Sequence, residues 1–143
     1  MRRFNQAWLV DQKNAAAIWG LAAVSSNDDR TFLASLGLFA EAEKLLPDDV
    51  DFAVDYAKAM GTAGALTGSE PLMAEADKRY ASIYKKVPNY TLNIQNWAIV
   101  DYIRRDYKPA WRKIVLAEAT PQKADIDMSF IKALEAKMPR PTN

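Results

Sequence analysis

The sequence predicts an all-α fold of antiparallel helical hairpins stacked on one another. Apolar residues recur three and four positions apart over most of the chain, which is the spacing of one face of a helix. Similar segments return with a period of about 34 residues, as in helical repeat proteins. Proline, glycine and aspartate fall between these segments, where helices end. With 143 residues, 50% of them hydrophobic, the chain has the size and composition of one folded domain.

Three segments of similar sequence define the repeat. Each begins with an aromatic residue, has a small or aliphatic residue three positions later, and reaches a turn residue eight positions after the aromatic one. The segments are "FNQAWLVDQ" at 4–12, "FAEAEKLLP" at 39–47 and "YASIYKKVP" at 80–88. A looser copy contains Ala110, Ile114, Ala117 and Pro121. We interpret each segment as the second helix of a hairpin.

A first helix precedes each of the last three segments. These first helices are predicted at residues 15–25, 50–60 and 92–103. Helix-breaking residues that separate the two helices of each hairpin lie at 27–29, 61–69 and 106–109. The breaker at 61–69 is either a functional loop or extra turns on the flanking helices.

The two ends of the chain fit the same arrangement. Apolar residues four positions apart from Ile126 to Met138 predict a one-sided helix that caps the stack. At the other end we expect a helix that stops at Gln12 and leaves Phe4 and Trp8 partly uncovered unless upstream residues or a second chain pack on them. The predicted single domain, 1–138, contains a half repeat at 1–13, repeats at 14–47, 48–88 and 89–121 and a capping helix at 124–138, followed by a flexible tail at 139–143.

The composition excludes several classes of function. The chain has no histidine and no cysteine, so it lacks Ser/His/Asp and Cys/His nucleophilic systems and the usual ligands of zinc. Its 19 basic and 18 acidic residues leave a formal charge of +1, which disfavours binding to nucleic acid. The longest uncharged segment, residues 14–27, is shorter than the stretch of about 20 apolar residues that a membrane span needs. We therefore expect no catalytic residue, cofactor, metal site or membrane span.

Large and small residues recur at matching positions of the three repeats. They are Trp19, Ala23, Phe39, Ala42 and Pro47, then Tyr56, Ala57, Ala76, Tyr80 and Pro88, then Trp97, Ala98, Ala110 and Ala117. This register resembles the packing positions of the tetratricopeptide repeat (TPR) family, and "NWAIVDYIRRDYKPAWRKIVLAEATP" is similar to small bacterial TPR proteins, some of them exported. The sequence departs from the family at Ile114, where an aromatic residue is usual, and by extra residues around "GTAGALTGSE". The resemblance implies a right-handed superhelix, a TPR-like α-solenoid. The sequence leaves the compartment open: the bacterial cytoplasm or, if an upstream signal is missing from this chain, the periplasm.

Packing logic predicts the core. Small side chains let helices approach closely, and large aromatic ones fill the gaps between hairpins. The residues that we expect to be buried are Trp19, Phe39, Ala42, Ala76, Tyr80 and Trp97. All four tryptophans are accordingly interpreted as core residues rather than as a ligand site.

The TPR resemblance also implies a concave groove that binds peptides. In that family the groove is formed by the face of the first helices that lies opposite the packing face. The expected groove residues are Gly20, Leu21, Val24, Asp51, Val54, Asp55, Lys58, Leu92, Gln95, Asn96 and Ile99. Such a groove should take an apolar anchor near Leu21 and Val24 and a basic group near Asp51 and Asp55. The positions at which family members hold acidic chaperone tails carry no cation here, so tight binding of such a tail is not expected.

Gly20 interrupts a helical segment, "AAAIWGLAAV", in which alanine would be more stable by roughly 1 kcal/mol. Two explanations are open. The missing side chain leaves room for a ligand backbone, or it admits a neighbouring aromatic ring such as Phe4 or Trp8.

The sequence therefore predicts a non-catalytic scaffold that binds a protein or peptide partner. The alternative is a self-associating assembly module, a homodimer formed through the open N-terminal edge; an enzyme that uses only carboxylates is a third possibility. The basic segment "RRDYK" at 104–108, with Arg112 and Lys113, is either a docking patch or a set of solvated side chains. The acidic set, Asp48, Asp49, Asp51 and Asp55, is interpreted as first-turn capping rather than a metal site.

Overall fold

A computed structural model describes the backbone of residues 2–142 and the side chains of residues 14–142. Between residues 2 and 142 the chain forms helices and turns, and no strand is present in this range. The α-helices are α1 (Arg2–Ser26), α2 (Phe32–Leu45), α3 (Val50–Thr67), α4 (Glu70–Lys86), α5 (Thr91–Ile103), α6 (Tyr107–Glu118) and α7 (Met128–Lys137), and a 3₁₀ turn (Lys123–Asp125) precedes α7. The all-α prediction is confirmed.

Helix α1 is longer than the sequence predicts. It runs without interruption from Arg2 to Ser26, so the expected turn at Gln12 is absent and this prediction is wrong. The physical reason is local, because Gln12 and Lys13 are good helix formers and no proline or glycine accompanies them. The eight-residue spacing from Phe4 to Gln12 therefore does not mark the end of a helix.

The glycine-containing segment after residue 60 is helical rather than a loop. Helix α3 continues through it to Thr67 and ends at Gly68, whose φ of 68° is left-handed. The Ser69 N–H donates to the Gly64 carbonyl at 2.8 Å, and the Gly68 N–H donates to the Ala65 carbonyl at 3.4 Å. This paired arrangement is a Schellman motif, which satisfies the last carbonyls of the helix. Of the two alternatives, extra helical turns are correct.

Other helix ends follow the sequence more closely. Helices α2 and α4 end at Leu45 and Lys86, just before Pro47 and Pro88, as predicted. The last helix begins at Met128 rather than at residue 124, because residues Lys123–Asp125 form a 3₁₀ turn. The Asp127 side chain then caps α7 by accepting a hydrogen bond from the Ser129 N–H at 2.9 Å.

The chain divides inside α3 into two compact units, Met1–Ala59 and Met60–Asn143. In the first unit a cluster of aromatic rings forms the core. Phe39 stacks on Tyr56 with ring centroids 5.2 Å apart, and Phe52 lies at 5.9 Å from Phe39. Ala22 on α1 and Ala42 on α2 are fully buried in the same unit, and such small residues allow the two helices to approach closely.

The second unit has its own core, in which α5, α6 and α7 meet. The core residues are Ile94, Ala98, Ala110, Trp111, Ile114, Ala117, Ile126, Phe130, Ile131 and Leu134. Three of the four expected apolar residues of the last helix segment are therefore buried, and Met138 packs against the same cluster. This is the one-sided burial that the four-residue spacing predicts.

Two helices of the second unit approach α3 at its glycines. A Cβ atom built on Gly61 would lie 2.8 Å from Val100 Cγ2 and 3.0 Å from the Tyr80 hydroxyl. A Cβ atom on Gly64 would lie 2.9 Å from the backbone nitrogen of Met73. Because these distances are shorter than a van der Waals contact, the two glycines are required by the close packing of α3.

The burial predictions hold for four residues and are wrong for two. Phe39, Ala42, Ala76 and Tyr80 are buried as expected, but Trp19 and Trp97 are half-buried. Each of these two indoles donates its N–H to a carboxylate: Trp19 to Asp55 at 2.8 Å and Trp97 to Asp77 at 3.1 Å. An indole whose N–H donates to a partly solvated carboxylate lies at the edge of the core. Its apolar ring faces the core, and its N–H lies near the solvent. Among the other tryptophans, Trp111 is buried, and the side chain of Trp8 lies outside the described residues.

Candidate functional site

The outer face of α1 is the most exposed part of the expected groove. Ala17, Gly20, Leu21 and Val24 lie on one side of the helix and are all exposed, with Leu21 at 57% and Val24 at 71%. Ala22, on the opposite side, is fully buried. The division follows from the helical period, because residues three and four apart share a face. We call Ala17, Gly20, Leu21 and Val24 the α1 outer face.

Gly20 lies in open space on this face. No described atom comes within 4 Å of the position that a Cβ atom would take there. Phe4 and Trp8 belong to the same continuous helix, but their side chains lie outside the described residues. The explanation based on one of these rings therefore stays a prediction. A binding role for Gly20 stays a prediction.

The α3 residues of the expected groove in the first unit differ in accessibility. Asp51 and Lys58 are exposed, whereas Val54 is buried and cannot contact a ligand without a rearrangement. Asp55 is half-buried, and its Oδ2 atom accepts the Trp19 indole N–H at 2.8 Å. Trp19 is held in turn by Phe52, whose ring meets it edge-on at 5.5 Å. Asp55 therefore positions Trp19 and has one carboxylate oxygen already engaged.

The four expected groove residues of the second unit lie on α5, and two of them are buried. Gln95 and Asn96 are 6% and 8% exposed. The Gln95 Oε1 atom accepts the Asp127 N–H at 2.6 Å, so this amide fixes the start of α7. Leu92 is exposed, and Ile99 packs partly against the α5–α7 core. An amide in a helical segment carries no sign of a partner 32 positions away, which is why sequence reasoning assigned Gln95 to a ligand.

The basic segment 104–108, together with Arg112 and Lys113, is only partly solvated. Arg104 donates to Asp77 and to Glu70 at 2.6 Å each, and Lys113 bonds Asp101. For these two side chains the interpretation as solvated residues is wrong. Each pairs with a residue at least 12 positions away in the sequence, beyond the reach of local spacing rules.

The Lys113 and Asp101 pair lies in a low-dielectric setting. The Lys113 ammonium is 4.7 Å from the centre of the Trp97 ring, a cation–π contact. Burial raises the pKa of the Asp101 carboxyl above its ordinary value, although the Lys113 partner acts in the opposite direction. Because both charges are engaged and largely shielded from water, we interpret the pair as a structural contact.

One of the acidic residues that precede and begin α3 is a helix cap. The Asp49 side chain accepts the Phe52 N–H at 2.9 Å, as an N-cap residue does, so the capping prediction is confirmed for Asp49. Among the residues with described side chains, no group of three or more acidic residues could hold a metal ion.

No helix in the described part of the chain is both long and apolar enough to cross a bilayer. No family model matches this sequence, and no curated protein or solved structure is significantly similar to it.

Proposed function

We propose that the protein is a non-catalytic interaction module that binds a segment of a partner protein through the α1 outer face. The observation that carries the proposal is the exposure of Leu21 and Val24 on a helix with no charged residue between Lys13 and Asp28. An apolar surface on a soluble domain is favourable when a partner covers it. An extended or helical peptide can do so by placing apolar side chains along the helix.

The chemistry near α1 indicates what kind of segment fits. Leu21 and Val24 offer an apolar contact for an anchoring side chain, and open space at Gly20 allows the partner backbone to come close. On α3 of the same unit, the carboxylates of Asp51 and Asp55, of which Asp51 is the more exposed, favour a basic group on the partner. The proposed ligand is therefore a segment with an apolar anchor and a nearby lysine or arginine.

A TPR-like right-handed superhelix is the architecture that we propose for the hairpins. It is supported by the ends of α2 and α4 before Pro47 and Pro88 and by the burial of Phe39 and Tyr80. In such a stack each hairpin buries its apolar face on the next one.

The test compares arginine substitutions at exposed apolar positions. Val24→Arg and Leu21→Arg place a charge on the α1 outer face, and Leu66→Arg makes the same change at a leucine on α3 that is 63% exposed. All three should change the free energy of unfolding by less than about 0.5 kcal/mol, as is usual for surface positions. Proteins retained by each immobilised variant are then compared quantitatively with those retained by the wild-type chain.

We expect a partner that the wild-type and Leu66→Arg proteins retain and that Val24→Arg loses by tenfold or more. If every retained protein binds Val24→Arg as well as the wild type, the proposal is wrong. Measuring the molecular mass of the protein over a range of concentrations tests the alternative function, a self-associating homodimer. A wild-type dimer that persists in Val24→Arg favours association through another surface, such as the N-terminal edge. A dimer that Val24→Arg converts to a monomer assigns self-association to the α1 outer face instead.

A further inference from the structure

A second exposed surface runs along α6. Lys108, Arg112, Val115 and Ala119 follow one another at helical spacing and are all exposed, and Leu116 lies beside them. Val115 and Leu116 are 53% and 46% exposed. We call Lys108, Arg112, Val115 and Leu116 the α6 outer face. It is basic in its first half and aliphatic in its second half.

The cations of this surface are available to a partner. Neither Lys108 nor Arg112 forms an ion pair with any residue whose side chain is described, and the same holds for Arg105, which directly precedes the helix. Arg104 and Lys113, their neighbours in sequence, are both paired. The segment therefore separates into cations that hold the fold and cations that face solvent.

Two of the free cations occupy positions that are unfavourable for the fold. Arg105 has a left-handed backbone with a φ of 66°, and no other non-glycine residue in the described range has a positive φ. This conformation is strained in any residue that has a Cβ atom. Lys108 lies in the first turn of α6, where the positive end of the helix dipole disfavours a cation. The backbone conformation at Arg105 and the helix dipole at Lys108 therefore disfavour these residues locally, which favours a role in recognition.

We propose that the α6 outer face binds an acidic amphipathic helix of another protein. Carboxylates of that helix pair with Lys108 and Arg112, and its aliphatic side chains pack on Val115 and Leu116. Charge complementarity determines the sign of the partner, because Asp106 is the single acidic residue between Arg104 and Leu116. An anionic membrane is disfavoured, since electrostatic attachment needs clusters of about four to eight basic residues and the whole chain has a net charge of +1.

Two synthetic helical peptides test the proposal with the full chain. One has glutamates in one half and leucines in the other, and the second has lysines in place of the glutamates. Binding is followed by fluorescence anisotropy of the labelled peptides. We expect the glutamate peptide to bind and the lysine peptide not to bind, with a loss of affinity of tenfold or more when salt rises from about 0.05 to about 0.5 M.

Charge-reversal variants locate the site. The double variant Lys108→Glu and Arg112→Glu should weaken binding of the glutamate peptide by tenfold or more. The matched control, Lys85→Glu and Lys86→Glu, makes the same change in charge at two exposed residues at the end of α4 and should bind within twofold of wild type. Val24→Arg, which alters the α1 outer face, should also bind within twofold, so this result is independent of the function proposed above.

Three outcomes would overturn the inference. Absence of glutamate-peptide binding at millimolar concentration excludes the surface as an acidic-helix site. An equal loss in the control double variant means that binding reflects general charge. Binding of the chain to phosphatidylglycerol vesicles that the Lys108→Glu and Arg112→Glu variant abolishes, without peptide binding, assigns the face to a lipid surface instead.

Discussion

At the scale of single residues, the glycines of α1 and α3 have opposite surroundings. Gly20 has no described atom within 4 Å of a built Cβ, whereas such an atom on Gly64 would lie 2.9 Å from the Met73 backbone nitrogen. A flexible side chain could move away, but a backbone atom cannot do so without shifting α4. The same residue type therefore weakens the helix at one position and permits close packing at the other.

Alanine substitutions should show this difference. Gly20→Ala should raise the free energy of unfolding by up to about 1 kcal/mol, because alanine is the better helix former and meets no neighbour. Gly64→Ala should lower it by about 1–3 kcal/mol through overpacking. Urea unfolding of both variants provides the measurement. A destabilised Gly20→Ala would contradict the open environment of α1.

Phe39 should be among the most costly residues to truncate. It is 1% exposed and stacks on Tyr56, so Phe39→Ala removes a buried ring and leaves a cavity. We expect a loss of about 3–5 kcal/mol in the free energy of unfolding. Leu33→Ala, at an exposed position of the same helix, is the control and should cost far less. A loss below about 1 kcal/mol for Phe39→Ala would mean that this ring is not in the core.

At the scale of helices, the ends of α3 and α5 use the same Schellman geometry with different residues. In α3 the left-handed position is Gly68, and in α5 it is Arg105. The Asp106 N–H donates to the Asp101 carbonyl at 2.8 Å, as the motif requires. Glycine adopts this backbone without strain, whereas arginine does not.

Exchange of these residues should have opposite effects on stability. Arg105→Gly should increase the free energy of unfolding by about 1 kcal/mol, and Gly68→Ala should decrease it by a similar amount. Thermal unfolding monitored by circular dichroism compares them. If the further inference is correct, Arg105→Gly gains stability and loses part of its affinity for the acidic peptide. An Arg105→Gly variant that gains both stability and affinity for the acidic peptide would contradict a role of Arg105 in recognition.

The cap of α7 makes stability depend on pH. Hydrogen bonds from the Ser129 side chain and backbone lower the pKa of the Asp127 carboxyl below its ordinary value of 3.8. Since the pKa is lower in the folded state, the carboxylate stabilises the fold above the unfolded pKa, and this contribution is lost as pH falls through the folded pKa. Asp127→Asn keeps a capping oxygen but cannot titrate.

The difference in unfolding free energy between wild type and Asp127→Asn should therefore be constant near neutral pH and decrease in the acid range. Urea unfolding at a series of values from about pH 6 to about pH 2.5 gives this difference. A difference that stays the same over the whole series would show that Asp127 is not an ionised cap.

At the scale of the whole molecule, the basic side chains fall into a paired group and an unpaired group. The positive side chains of Arg104, Lys113 and Arg140 pair with carboxylates, whereas those of the α6 outer face do not pair with a described residue. The α1 outer face has no charge at all. The two surfaces thus differ in chemistry, and we expect them to select different partners.

The secondary structure of the whole chain gives a simple check. The far-ultraviolet circular dichroism spectrum should be strongly helical, because the described residues form seven α-helices and no strand. A spectrum dominated by strand would contradict the fold. High salt should leave the spectrum unchanged, since the helices are stabilised mainly by buried apolar contacts that salt does not screen.

The sequence by itself determined the features that depend on local order. Apolar spacing gives the helices, prolines after α2 and α4 mark their ends, and the alternation of small and aromatic residues identifies Ala42, Phe39 and Tyr80 as core. Each of these follows from residues within a few positions of one another. The helical period alone places Gly20, Leu21 and Val24 on one side of α1. Their expected role in a groove came from the resemblance to the TPR family.

Tertiary structure decided which polar groups are engaged. Trp19 bonds Asp55 from 36 positions away, Arg104 bonds Glu70 from 34, and Gln95 bonds the Asp127 backbone from 32. A polar side chain that has no partner nearby in the sequence forms a hydrogen bond when a distant helix brings a partner within about 3 Å. Once the side chain is removed from water, leaving it without that bond would be costly. Hydrophobic periodicity repeats along the chain and can be read locally, whereas a hydrogen bond depends on where two separate helices meet. The division of the 104–113 cations into paired and free is for that reason a property of the folded protein.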